Sequence, residues 1–119
     1  PHKKLAQHYL ERDGDEQRAI SHLERLAALE LKDPVYMVRL ARLYRSAGEM
    51  ETALQRITRA LHIDPYDAAI RELAAAIAIE ADELAVAREH VYALTLLEPG
   101  RRQHERRLER LDELLARRG

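Results

Sequence analysis

Six histidines, at positions 2, 8, 22, 62, 90 and 104, are the side chains of this sequence best suited to hold a metal or move a proton. A zinc-binding helix needs two His four apart with a Glu between them, so that both rings meet on one face. No two His here are four apart, and His104-Glu105 runs on into Arg106-Arg107-Leu108. The histidines therefore read as surface or helix-boundary residues, and no metal or cofactor is expected. Ser21 and Ser46 lack the sharp strand-to-helix turn that exposes a nucleophile. The four Gly stand alone at 14, 48, 100 and 119, so no phosphate-cradling loop exists. With no Cys, thiol catalysis, thiolate metal sites and disulfides are excluded. Carboxylates are many but alternate with Arg, the pattern of a solvated helix face. No enzyme is expected, and the chemistry left is recognition by charge and shape.

Twenty Lys and Arg against 21 Asp and Glu give a formal net charge of −1, so no global field draws the chain to nucleic acid or an anionic membrane. Residues 101–119 hold seven Arg, but four acids interleave them and no aromatic is present to stack on bases, which favours a solvated cap over a nucleic-acid surface. The longest apolar run, Leu73 to Ile79, is far short of a bilayer span. No signal peptide is recognisable, and the compartment stays open with the cytoplasm slightly favoured. The sequence opens on Pro1 rather than Met, which suggests a piece of a longer protein.

Helices must position whatever recognition there is. Leu and Ala dominate, aromatics are five Tyr with no Phe or Trp, and a chain of 119 residues makes one domain. The breakers predict seven helices: about 2–12, 15–31, 34–46, 49–62, 66–81, 83–97 and 101–117. Gly14, Gly48 and Asp82 mark turns within pairs, Asp82 at some conformational cost, while Asp33-Pro34, Asp64-Pro65 and Pro99-Gly100 mark turns between pairs. Ala19, Leu23 and Leu26 form the predicted inward stripe of the second helix; Ala53, Leu54, Ile57, Ala60 and Leu61 form that of the fourth. In the seventh, His104, Leu108, Leu111 and Leu115 line one stripe on an otherwise charged helix.

These elements repeat. Gly14 and Gly48 are 34 apart, as are Pro65 and Pro99, and Ala19, Ala53 and Ala87 fall at successive steps of 34. The middle copy reads Met37-x2-Leu40-Ala41-x2-Tyr44, Ala53-x3-Ile57, Pro65. This spacing resembles the tetratricopeptide repeat, a 34-residue helix–turn–helix unit. Leu5-Ala6-x2-Tyr9 mirrors its first helix, whereas the third copy carries Arg71, Ala74, Ala75 and Ala78 in those places and Val91 where the middle copy has Ile57. The resemblance covers about residues 2–99. It implies an all-α fold, a right-handed α-solenoid of three such repeats (about 2–33, 34–67 and 68–100) plus a capping helix (about 101–118).

The resemblance also implies a function, non-catalytic binding of a peptide or protein in the concave groove lined by the first helix of each repeat. Candidate groove residues are Lys3 and Gln7 from the first helix, Val35, Val38, Arg42 and Arg45 from the third, and Ile79 from the fifth. Leu10, Ala69, Glu72 and Ala76 occupy matching positions, so the surface is basic at one end and apolar at the other. Some family members clamp a chaperone peptide's C-terminal carboxylate with two Lys, an Arg and two Asn. Here Lys3 matches a Lys, but Gln7 and Arg39 stand where Asn is expected, and Ala69 and Leu73 where Lys and Arg are expected. The expected partner is a protein or peptide, with an acidic residue or C-terminal carboxylate of another kind; nucleic acid and membrane are not expected. The alternatives are a groove without a tight ligand, an accessory region of a larger enzyme such as a peptidase, and self-association through the N-terminal face.

Overall fold

In the computed structural model, which describes the backbone of residues 2–118 and the side chains of residues 14–118, the chain folds into six helices. They are α1 (His2–Leu29), α2 (Pro34–Ser46), α3 (Met50–Ile63), α4 (Ala68–Glu80), α5 (Leu84–Leu97) and α6 (Arg102–Arg118). α2, α4 and α6 begin at 34, 68 and 102, while α1, α3 and α5 end at 29, 63 and 97. The period of 34 is thus kept throughout, and α6 starts where the first helix of a further repeat would start. The ends of α1, α3 and α5 close alike: the N–H groups of Glu30, Asp64 and Glu98 donate to the carbonyls of Leu26, Ala60 and Leu94.

The turns explain the period. After α2, Gly48 takes φ +79°, and its neighbour Glu49 donates back to the Tyr44 carbonyl at 2.9 Å. One repeat later Asp82 takes φ 58°, and Glu83 donates to the Ala78 carbonyl at 2.8 Å. Left-handed backbone is costly for a residue with a Cβ. The Asp82 side chain is exposed and accepts a hydrogen bond from Arg118 of α6, 2.7 Å away. The Asp33 side chain caps α2 by accepting from the Val35 N–H at 3.0 Å, and Pro34 supplies the first helical position.

Three sequence expectations change. Residues 2–29 form one helix instead of two, because α1 runs through Gly14. No proline stops the helix there, and a single Gly costs a helix interior only about 1 kcal/mol. The links between repeats are all four residues long (30–33, 64–67, 98–101), so the first is no shorter than the others. Finally, Asp64 ends α3 and Asp67 caps α4, its carboxylate accepting from the Ile70 N–H at 3.0 Å. Pro65 disfavours helical backbone at Asp64, which sits at φ −135°, ψ 83°, and the helix starts only after the link.

The apolar stripes meet in two clusters. One joins Ile20, Leu23 and Ala27 of α1 to Met37, Leu40 and Ala41 of α2, Ala53, Ile57, Ala60 and Leu61 of α3, and the near face of α4. The other joins Ala75 and Ala78 of α4, Leu84, Ala87 and Val91 of α5, and Leu111 of α6, with Leu108, Leu114 and Leu115 packed against it. Leu54 touches both clusters, so the core is continuous. In the stripe of α1, Leu23 is buried as expected, but Ile20 and Ala27 are buried in place of their neighbours Ala19 and Leu26, which are half-buried. Tyr44 is half-buried against the first cluster, and the Arg56 guanidinium lies 5.6 Å from its ring centroid. Glu24 holds Arg56 by two hydrogen bonds of 2.8 and 3.1 Å, which raise the guanidinium's pKa above its ordinary value.

Ala53 and Ala87 are both fully buried in the hairpins α2–α3 and α4–α5. Ala53→Leu is expected to overpack that contact and cost about 1–3 kcal/mol, whereas the same change at half-buried Ala19 should cost less. Urea denaturation of the two variants checks this; equal midpoints would contradict the assignment of Ala53 to a close helix approach.

Candidate functional site

The first helices of successive repeats, α2 and α4, border two adjoining clefts. The first, of about 320 Å³, is lined by Val35, Val38, Arg39 and Arg42 of α2 and by Ala69 and Ile70 of α4, with Pro34 and Asp67 at its end. The second, of about 360 Å³, is lined by Arg42, Arg45 and Ser46 and by Glu80 of α4. Arg42 belongs to both. Side chains three and four apart share a helix face, which is why Val35, Val38, Arg42 and Arg45 appear together. Val35 is 45% exposed and Val38 half-buried, so the cleft offers apolar surface to an incoming group.

The cations of this surface differ. Arg45 is bound at both ends of its fork: Nε donates to Glu80 Oε2 at 2.6 Å and Nη2 to Glu80 Oε1 at 3.0 Å. Among the described residues, Arg39 and Arg42 are exposed and have no carboxylate partner. Asp67 shares a cleft with them but spends its carboxylate on the α4 cap. Of the sequence candidates, Val35, Val38, Arg42 and Arg45 therefore come together along α2. Ile79 is 42% exposed near the end of α4 and lines neither cleft. The side chains of Lys3 and Gln7 lie outside the described residues.

Sequence reasoning missed Glu80, and it considered Arg39 only against the carboxylate clamp rather than among the candidate groove residues. The signal was the offset between opposite charges. Arg45 and Glu80 are 35 apart, Glu72 and Arg107 are 35 apart with a 2.5 Å bond, and Asp82 and Arg118 are 36 apart. A step close to one repeat carries a residue from one first helix onto the next, so these pairs stitch α2 to α4 and the α4 region to α6. Also unforeseen is a larger cleft of about 630 Å³ between α3 and α5, floored by Leu54 and Val86 and edged by Glu51, Arg59 and Glu83.

Two histidines are buried, His90 unexpectedly and His104 on the stripe expected of the last helix. His90 of α5, 8% exposed, faces Arg71, which takes the place of the repeat's usual apolar residue. Arg71 Nη1 lies 3.2 Å from His90 Nδ1, and its Nη2 donates to the Pro65 carbonyl at 3.0 Å. Burial first, and then the Arg71 charge, hold the His90 pKa below its ordinary value, so the imidazole is kept neutral and accepts from the guanidinium. His104, 2% exposed, sits 2.8 Å from Glu98 and ties α6 to the end of α5. No group of three metal-ligating side chains converges among the described residues.

Helical hairpins stacked at a constant period, with charges paired from one repeat to the next, define an all-α helical-repeat solenoid. The tetratricopeptide repeat model matches residues 10–77, more than half of the chain, and the chain belongs to that family. Solved structures share the fold. The first TPR of Spaghetti (RPAP3), bound to the HSP90 peptide SRMEEVD, superposes with a TM-score of 0.71 at 18% identity, covering 96% of this chain and 90% of that one. The second TPR domain of human RPAP3, in complex with the HSP70 peptide SGPTIEEVD, gives 0.69 at 21% identity over 92% and 91%. PcrH in complex with the chaperone binding region of PopD gives 0.64 at 23% identity over 100% and 96%. No curated protein matches the chain. The five-residue carboxylate clamp is not reproduced here: Leu73 is buried in the core, Ala69 carries no charge, and Arg39 stands where an amide is required.

Proposed function

We propose that this domain is a non-catalytic protein-interaction module that takes an extended peptide or protein segment along α2 and α4. The observation that carries the reading is the continuity of the two clefts through Arg42, which sets an apolar floor of Val35 and Val38 beside a guanidinium without a carboxylate partner among the described residues. A ligand combining an apolar anchor with a carboxylate fits both parts. Structures of the same fold holding peptides of HSP90, HSP70 and PopD support the mode of binding, while the residues of the clefts argue for a partner of different sequence. In this reading the repeats at about 34–67 and 68–100 carry the surface and residues of about 101–118 cap it, while the continuous α1 lacks the separate first helix that a repeat at about 2–33 requires.

Arg42 is exposed, so its reversal should leave the fold intact and act on binding. Arg42→Glu is expected to keep the helical circular dichroism and to abolish affinity capture of the partner from a cell extract. Capture by the wild-type domain should weaken as salt rises, because the contact is electrostatic and partly exposed. Undiminished capture by the variant would exclude the α2–α4 surface and point to the cleft between α3 and α5.

A further inference from the structure

The α2–α4 surface already contains a carboxylate in contact with one of its cations. Glu80 lies in the same cleft as Arg42, Arg45 and Ser46, and its two oxygens take both arms of the Arg45 fork at 2.6 and 3.0 Å. This is the bidentate geometry in which an Arg receives a ligand carboxylate. The pair is not sealed in the core: the Arg45 side chain is 36% exposed and that of Glu80 39%, so both can be reached by an incoming group. Arg42, in the same cleft and without a carboxylate partner among the described residues, is the cation left open. The cleft thus holds two guanidinium groups and one carboxylate, a local charge of +1 where two cations alone would give +2.

We infer that Glu80 is a specificity-determining residue of the groove: it occupies Arg45, leaves Arg42 to meet one ligand carboxylate, and disfavours a ligand with two adjacent carboxylates. The inference rests on the groove reading given above and adds what that groove selects. A diacidic segment would have to displace Glu80 from Arg45 and then hold its second carboxylate beside the displaced one. A segment with one acid beside an apolar residue meets Arg42 and the Val35–Val38 floor without disturbing the pair. Like charges brought together are a recognised means of rejecting a partner. The competing explanation is that Arg45–Glu80 only stitches two repeats together, as Glu72–Arg107 does. The two explanations predict different results on removing the carboxylate.

The experiment uses the whole chain, ¹⁵N-labelled, and two capped peptides, acetyl-Ser-Val-Leu-Ala-Glu-Ala-Ser-amide and acetyl-Ser-Val-Leu-Glu-Glu-Ala-Ser-amide. Each is titrated while the backbone signals of Val35, Val38 and Arg42 are followed. The wild type should bind the monoacidic peptide at least as well as the diacidic one. Glu80→Gln should strengthen binding of the diacidic peptide by about three- to fivefold, the scale of one partly exposed ion pair, and leave the monoacidic peptide within about twofold. Combining it with Arg45→Gln should remove the gain. Glu51→Gln, on the α3–α5 side, makes the same change in net charge and should not reproduce it. An equal gain for both peptides, or the same gain in Glu51→Gln, would reduce the effect to overall charge and overturn the inference. Unchanged affinities with a lower melting temperature would show a stitch between repeats and nothing more. If no variant shifts Val35, Val38 or Arg42 with either peptide, the groove reading itself fails, and the inference with it.

Discussion

Ile57→Ala is expected to destabilise the domain by about 2–5 kcal/mol, the usual cost of cutting a fully buried aliphatic side chain back to a methyl. Ile57 has no exposed surface and sits in the cluster that joins α1, α2, α3 and α4. Its neighbours Leu40, Ala41, Ala53 and Ala60 are likewise fully buried. Three of these four are Ala, whose methyl groups cannot swing into the space left, so most of the cavity should persist. For a domain whose total stability is about 5–15 kcal/mol, the loss is a large fraction, and the melting temperature should fall by roughly ten degrees or more. Tyr44→Ala provides the comparison. That ring is half-buried, and part of its surroundings is the Arg56 guanidinium. Its truncation should therefore cost less than that of Ile57. Thermal denaturation of both variants tests the order; a larger loss at Tyr44 would mean that the tyrosine, and not Ile57, is the main wedge between the paired helices.

The parts of this fold that were legible in the sequence are those set by local rules repeated at a fixed step. Ala53 with Ala87, and Gly48 with Asp82, each sit one period apart, and both pairs recur in equivalent structural places. The stripe His104, Leu108, Leu111, Leu115 also reads directly, because i, i+4, i+7 and i+11 fall on one helix face. Gly14 was misread because a glycine permits a turn without requiring one. At Gly48 the chain turns into a hairpin, while residues 2–29 continue as a helix around Gly14. The groove was half legible: spacing along one helix brings Val35, Val38, Arg42 and Arg45 together. The partner of Arg45 was not, because Glu80 is a neighbour only after two repeats have stacked, and no spacing rule within a helix finds it. Arg71 and His90 were opaque for a related reason. Arg71 stands one period after the apolar Met37, and its contact with buried His90 at 3.2 Å exists only once α4 and α5 have paired.

Deleting α6 should have the largest effect of all on the behaviour of the domain in solution. Ala75, Ala78, Leu84, Ala87 and Val91 form the outward face of the last hairpin, and Leu108, Leu111, Leu114 and Leu115 cover it. A terminal repeat without a polar outer surface leaves a contiguous apolar patch, and such patches drive association. α6 also carries Arg107, Asp112 and Arg118, the partners of Glu72, Arg88 and Asp82. The shortened chain ending at Gly100 loses all three pairs as well as the cover. Its expected fate is aggregation or concentration-dependent assembly in analytical ultracentrifugation, with the 34-residue array itself still helical. Because a deletion can fail in several ways, Leu111→Asp is the sharper probe. Leu111 is 5% exposed at the centre of the cover, and a carboxylate there has no cation in the cluster to receive it. It should detach α6 while leaving its length and overall composition nearly unchanged, exposing the face of α4 and α5 to a hydrophobic dye. A variant that stays monomeric, binds no dye and melts with the wild type would show that the last hairpin needs no cover. The Arg residues of α6 would then have to be explained by a partner rather than by the fold.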